Sequence, residues 1–161
     1  LESLYFYSGF SFFYTLARQG KMTGTATMIK YIQRDELTHV VLFQNMFREL
    51  RGENPELFTD ELIDELREMM RTAVTHEVGW GQYVLNNEIA GITNDIIERY
   101  IKYLSNQRLK ALDIPILYPE QSEHPMKWVD SFANLNQTKT DFFEQKVTNY
   151  TKSSGLNLGD L

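Results

Sequence analysis

Apolar residues recur along most of this chain at the three- and four-residue spacing of an amphipathic helix. The spacing predicts four long helices, over about residues 1–18, 23–50, 59–84 and 93–112, and a short fifth helix around residues 126–132. The sequence contains no internal repeat and no convincing run of alternating strand residues. The pattern therefore predicts an all-α fold.

Turn and capping residues separate these predicted helices. Gly20 is predicted to follow the first helix in a left-handed conformation, which glycine adopts easily. Thr59 and Thr93 precede the third and fourth helices, where a hydroxyl group can accept hydrogen bonds from free backbone N–H groups. Three prolines between residues 113 and 126 prevent another long helix there. We therefore divide the chain into a bundle portion, residues 1–133, and a polar tail, residues 134–161.

The first predicted helix is apolar nearly all round, which is typical of a helix buried on several sides. No charged segment precedes it, so it does not resemble a signal peptide. A helix of this kind ordinarily has chain before it. The start at Leu1 is thus expected to reflect a fragment, a processed product or a divided gene.

Composition limits the function classes without choosing among them. The chain has 161 residues and a net charge of −6, which disfavours a general nucleic-acid or anionic-membrane surface. It has no cysteine, which excludes disulfides, zinc–thiolate sites and a cysteine nucleophile. No apolar run reaches the length of a membrane span. A cytoplasmic protein is the expectation.

The most informative motif is Glu36-x-x-His39 in the second predicted helix. Side chains three residues apart project from nearly the same helix face, so this pair can ligate one metal of a dinuclear carboxylate site. Ile32 and Phe43 share that face, and a carboxylate buried among apolar residues needs a partner or a metal. A simple surface pair of glutamate and histidine is the alternative interpretation.

A complete dinuclear carboxylate bundle has two Glu-x-x-His helices and two helices that each provide a single glutamate. This chain offers one of each, with Glu2 as the single glutamate. Glu2 can also be an ordinary exposed residue at a chain end. Oxygen ligands with one imidazole per metal suit iron or manganese better than zinc or copper, and a pair of such ions can activate dioxygen.

Residues 1–10 and 28–39 resemble the radical-generating small subunit of class I ribonucleotide reductase. The specific pattern is a glutamate, two phenylalanines four residues apart, and then Ile-x-x-Asp-Glu-x-x-His. The resemblance continues through residues 80–84, 103–109 and 117–119. It covers most of this chain but only the C-terminal half of the family's subunit, and it implies a ferritin-like helical bundle.

The resemblance implies that Glu2, Glu36 and His39 are metal ligands for two iron ions, with manganese or a mixed pair as alternatives. The family's other ligands and its radical-bearing tyrosine would lie before Leu1. A second polypeptide is therefore predicted to supply the N-terminal helices. Three open ligands on an apolar face would form a patch that needs such a partner.

Further roles follow from the same resemblance. Three apolar residues match the lining of the radical site: Phe6, Phe10 and Ile32. Asp35 matches the aspartate that joins a metal-ligand histidine to the route of electron and proton transfer. The alternative for Asp35 is a salt bridge with Lys30 or Arg34.

The polar tail has two candidate roles in radical transfer. Tyr150 is a candidate for the family's redox-active tail tyrosine, and residues 156–161 are a candidate peptide for docking on the large subunit. The expected partners are thus the large subunit and a second small subunit. A merely polar terminus is the alternative.

Two other functions remain open at this point. One is a different ferritin-like oxidase related to the small subunit, and the other is a helical interaction domain without metal. His76, Glu77 and His124 match no ligand position, and Trp128 is expected to pack in the fold.

Overall fold

The computed structural model describes residues 4–133, and this part is helical without strands. Five α-helices follow one another, with a 3-10 turn at Pro55–Leu57. Their bounds are Tyr7–Arg18 for α1, Thr23–Glu53 for α2, Asp60–Leu85 for α3, Asn94–Ala111 for α4 and Trp128–Ala133 for α5. The predicted all-α class is confirmed for these residues.

The predicted caps form. The Thr59 hydroxyl accepts a hydrogen bond from the Leu62 N–H at 3.3 Å, and the Thr93 hydroxyl accepts one from the Ile96 N–H at 3.2 Å. Gly20 has a φ of +75° and follows α1, whose last turn is closed by two backbone hydrogen bonds from Gly20 and Lys21. Local sequence therefore determines these three helix ends.

The predicted start of the first helix is wrong for residues 4–6, which form a turn. Phe6 has a φ of +78°, in the left-handed region that a bulky residue rarely adopts. The regular helix begins only at Tyr7. An unbroken helical spacing therefore cannot relate Glu2 to Phe6 and Phe10, and that relation now rests on the family resemblance.

Helix α1 lies at the centre of the described part and packs against α2, α3, α4 and α5. Leu4, in the turn before α1, and the Tyr7–Tyr14 part of α1 supply large buried side chains, which pack in one cluster with residues of α3 and α4. The largest fully buried apolar side chains are Leu4, Tyr7, Tyr14, Leu85, Ile92, Ile97, Ile101, Leu109, Met126 and Val129. The predicted burial of the first helix on several sides is confirmed.

Close approach of three helices occurs at Gly81. A Cβ atom there would lie 2.8 Å from the Ser8 Oγ atom and 3.0 Å from the Ile97 Cγ2 atom. Any residue with a Cβ atom at this position therefore requires the Ser8 or Ile97 side chain to shift. Within residues 4–133, no helix is long and apolar enough to cross a membrane.

Candidate metal site

Helix α2 is unusually exposed for a helix rich in apolar residues. Of its 31 residues, three are buried: Ala26, Gln33 and Val40. Six of its residues, which we name the α2 stripe, fall within an arc of about 80° at 100° per residue. They are Ile32, Glu36, His39, Phe43, Met46 and Leu50.

The apolar members of the α2 stripe are between 47% and 61% exposed, with Phe43 the most exposed. Beside the stripe, α2, α3 and α4 enclose an open groove of about 670 Å³. Its lining is mostly apolar and includes Val40, Phe47, Leu66 and Met70. A continuous apolar surface of this kind marks an interaction face.

The structure brings Glu36 and His39 together on this face. The His39 Nδ1 atom lies 3.4 Å from the Glu36 Oε2 atom, and their side chains are 52% and 21% exposed. Two ligand atoms with bonds of about 2.1 Å to one ion can be that far apart. A carboxylate oxygen and an imidazole nitrogen also suit iron or manganese. The pair therefore fits a metal, although a surface ion pair would make the same contact.

The described residues alone do not complete a metal site. Within residues 4–133, no three histidine, aspartate or glutamate side chains are grouped so that they could hold an ion. The third predicted ligand, Glu2, lies outside the described residues, as do Tyr150 and the predicted docking peptide, residues 156–161. Their roles stay predictions.

Asp35 has the partner that the alternative interpretation named. The Arg34 guanidinium lies 2.9 Å from the Asp35 carboxylate, and both side chains are at least half exposed. An exposed pair between adjacent residues contributes little to stability. Asp35 therefore remains available to another partner, and its predicted role in transfer is untested.

The three predicted lining residues differ in their surroundings. Phe10 is buried, and its ring centroid lies 5.4 Å from that of Tyr7. Phe6 and Ile32 are 57% and 47% exposed. Only Phe10 is thus already enclosed by the described residues, and the other two need a further covering surface to exclude water.

Sequence reasoning missed a buried carboxylate, Glu77. It is 4% exposed, and its Oε1 atom accepts a hydrogen bond from the Ser8 backbone N–H at 2.9 Å. Burial raises the pKa of Glu77, and hydrogen bonds from Ser8 and the Phe6 backbone partly oppose that rise. The sequence held a signal, because Glu77 occupies an every-fourth-residue row with three buried neighbours, Ala73, Gly81 and Leu85.

His124 serves in packing. Its ring lies 5.3 Å from the ring of Tyr100 and 4.7 Å from that of Tyr103, and its Nδ1 atom accepts a hydrogen bond from the Met126 N–H at 3.0 Å. Burial lowers the pKa of His124, against the opposing effect of Asp130. Trp128 packs edge-on against Phe132, as expected.

The family model described as the ribonucleotide reductase small chain matches residues 1–125. The chain belongs to this family. The resemblance to this family that the sequence analysis found is therefore confirmed. The five helices are the C-terminal part of the family's ferritin-like bundle.

Several relatives agree with this assignment. The ribonucleoside-diphosphate reductase subunits beta of Treponema pallidum and Halalkalibacterium halodurans are 44% and 45% identical to this chain, over 97% and 98% of its length. Among solved structures, the ribonucleotide reductase R2 subunit from Clostridium botulinum is 63% identical, with a TM-score of 0.81 over 83% of this chain.

The chain spans about half the length of these relatives. It covers 45% and 46% of the two subunits beta and 42% of the Clostridium botulinum chain. About half of each of these relatives therefore has no counterpart in this sequence.

Proposed function

We propose that this chain forms the C-terminal half of a ribonucleotide reductase small subunit and provides part of the ligands of its di-metal centre. The observation that carries the proposal is the Glu36–His39 contact at 3.4 Å, on an exposed apolar stripe of a chain that matches the family over residues 1–125. The remaining ligands come from the other half of the subunit, on the same polypeptide or on another. That half covers the α2 stripe.

Each residue of the site has a role that suits its chemistry. Glu36, His39 and Glu2 hold two iron ions, with manganese or a mixed pair as alternatives. When bound, the metal pair supplies the oxygen-dependent oxidising power that converts a tyrosine of the other half to a radical.

The surrounding residues protect and connect the site. Phe10, already buried, excludes water on one side, and covered Phe6 and Ile32 exclude it on the other. Asp35 joins a metal-ligand histidine to the route of electron and proton transfer, the role that the family resemblance implies for it. Tyr150 and residues 156–161 then connect the site to the large subunit, which reduces ribonucleotides.

Substitution of the two described ligands tests the proposal. In the complete subunit loaded with iron and oxygen, we expect Glu36→Ala and His39→Ala to abolish metal loading and the radical signal in electron paramagnetic resonance. Helical content should stay largely intact, because both substitutions place alanine, a strong helix former, in the interior of a helix. Glu49→Ala, an exposed glutamate of the same helix, is the matched control.

Retention of both metal and radical in the two variants would contradict the proposal. Truncation after residue 133 distinguishes the proposed function from that of a related ferritin-like oxidase. We expect the truncated subunit to keep its metal and lose turnover with the large subunit. Unchanged binding to the large subunit and unchanged turnover would favour the oxidase.

A further inference from the structure

Glu77 of α3 takes the place of a side-chain cap for α1. The N-cap residue of α1 is Phe6, which has no side-chain oxygen and makes no capping hydrogen bond. The first N–H groups of a helix lack partners within the helix. The Glu77 carboxylate accepts the bond of one of them, the Ser8 N–H, from a different helix.

The position of this carboxylate is fixed on several sides. Glu77 and Ser8 are 4% and 1% exposed, and Ser8 also contacts the Glu77 carbonyl oxygen through its hydroxyl group. One turn farther along α3, Gly81 permits the close approach of α3 to Ser8. The beginning of α1 is therefore attached to α3 through a buried hydrogen bond, and removal of the acceptor would leave a buried N–H group without this partner.

This contact occurs at a break in the backbone. Phe6 has a φ of +78°, a conformation that persists in a bulky residue only where the surrounding structure holds it. The bond from the Ser8 N–H begins two residues after that break. Phe6 is a proposed lining residue, and the proposed ligand Glu2 precedes it by four positions in the sequence.

We propose that Glu77 is a positioning residue, which caps α1 from α3 and so sets where the chain bearing Phe6 and Glu2 meets the metal centre. This inference rests on the proposed function. Glu77 acts through the backbone of α1, because its carboxylate accepts the hydrogen bond of the Ser8 N–H.

The test compares variants of the complete subunit by Mn(II) affinity, measured from free Mn(II) in electron paramagnetic resonance, and by backbone hydrogen exchange. For Glu77→Ala we expect about tenfold weaker Mn(II) binding, the lower end of the effect of removing a group that supports ligands. Exchange at residues 6–10 should become faster while that of residues 12–18 stays unchanged. Glu65→Ala removes an exposed glutamate of α3 and is the matched control.

Glu77→Gln is the conservative variant. Its amide oxygen can accept the same Ser8 N–H bond, so we expect Mn(II) affinity within about threefold of the wild type, since a neutral acceptor is weaker than a charged one. Gly81→Ala keeps the carboxylate, but its Cβ atom would lie 2.8 Å from the Ser8 Oγ atom and 3.0 Å from the Ser8 Cβ atom, so Ser8 must shift. We expect this shift to weaken the bond between Ser8 and Glu77, and the variant to resemble Glu77→Ala in both measurements. These two variants decide the question if Glu77→Ala does not fold.

Wild-type Mn(II) affinity in Glu77→Ala would overturn the positioning role and leave a structural cap only. Wild-type affinity in Gly81→Ala, combined with faster exchange at residues 6–10, would do the same. Wild-type exchange in Glu77→Ala would overturn the cap as well. A wild-type subunit that binds no Mn(II) would instead overturn the proposed function, and the positioning role with it. The wild-type measurement therefore distinguishes the two failures.

Discussion

At the scale of single residues, buried polar groups in this fold depend on specific partners. The Tyr14 hydroxyl donates a hydrogen bond of 2.6 Å to the Gln33 Oε1 atom, and the two residues are 1% and 5% exposed. This bond joins α1 to the face of α2 that is buried. An unpaired acceptor in such a place costs more than the bond itself contributes.

We predict that Tyr14→Phe lowers the free energy of unfolding by about 1–3 kcal/mol, because it leaves the Gln33 oxygen buried without this partner. Denaturant unfolding of the complete subunit measures the change. The double variant Tyr14→Phe with Gln33→Met removes both polar groups and should recover part of the loss. A loss of unfolding free energy in the double variant equal to the sum of the losses in the two single variants would contradict this account.

Glu77 gives a second prediction at this scale. Its pKa in the folded protein is raised by burial above the ordinary 4.5, so the folded state binds the proton more tightly than the unfolded state does. The stabilisation from that proton is complete below about pH 4.5 and is lost as the pH rises through the raised pKa. In the Glu77→Gln variant this titration is absent.

The free energy of unfolding of the wild type minus that of Glu77→Gln should therefore decrease as the pH increases from about 4 to about 8. Denaturant titrations at a series of pH values measure this difference. A difference that increases with pH would mean that the hydrogen bonds from Ser8 and Phe6 outweigh desolvation.

At the scale of helices, arginines of α2 hold the C-terminal end of α4. The Arg48 guanidinium donates a hydrogen bond to the Ala111 carbonyl oxygen, and that of Arg51 donates one to the Leu112 carbonyl oxygen at 3.2 Å. The last carbonyl groups of a helix carry partial negative charge and lack partners within the helix. Both contacts are therefore favourable, and they fix the far end of the groove beside the α2 stripe.

We predict that Arg48→Met with Arg51→Met lowers the free energy of unfolding by about 1–3 kcal/mol, and that added salt reduces the difference. Methionine keeps much of the apolar stem, so the change reports the lost charge and hydrogen bonds. Unfolding at low and high ionic strength measures it. An identical loss at both salt concentrations would show that packing, rather than charge, carries the effect.

The helices themselves were largely predictable from the sequence because their signals are local. Thr59, Thr93 and Gly20 act on the backbone within a few residues, and all three do so in the structure. The start of α1 was not predictable in this way. The helix begins after a backbone break at Phe6, and its Ser8 N–H bonds to Glu77, a residue distant in sequence; helical spacing contains no information about such a contact.

The candidate site likewise has one part that the sequence predicts and another part that it does not. The Glu36–His39 contact follows from three-residue spacing on one helix, and it forms. The surroundings of Asp35, Phe6 and Ile32 depend on what covers α2. Residues 4–133 do not include that surface, and the spacing along one helix carries no information about it.

At the scale of the whole molecule, one face of α2 has the composition of a protein interior but is exposed. Its polar pair lies among apolar residues that are about half exposed, and the chain spans about half the length of its relatives. Exposed apolar residues grouped on one face mark a surface to which another surface binds. The central claim is that this cover also completes a metal centre around Glu36 and His39.

Anomalous X-ray scattering from crystals of the complete subunit loaded with iron tests that claim most directly. The account predicts two neighbouring metal peaks, one of them within coordination distance of the Glu36 carboxylate and the His39 imidazole, beneath a covered α2 stripe. Metal peaks elsewhere in the protein, or a Glu36–His39 pair that faces bulk water in the loaded subunit, would contradict it.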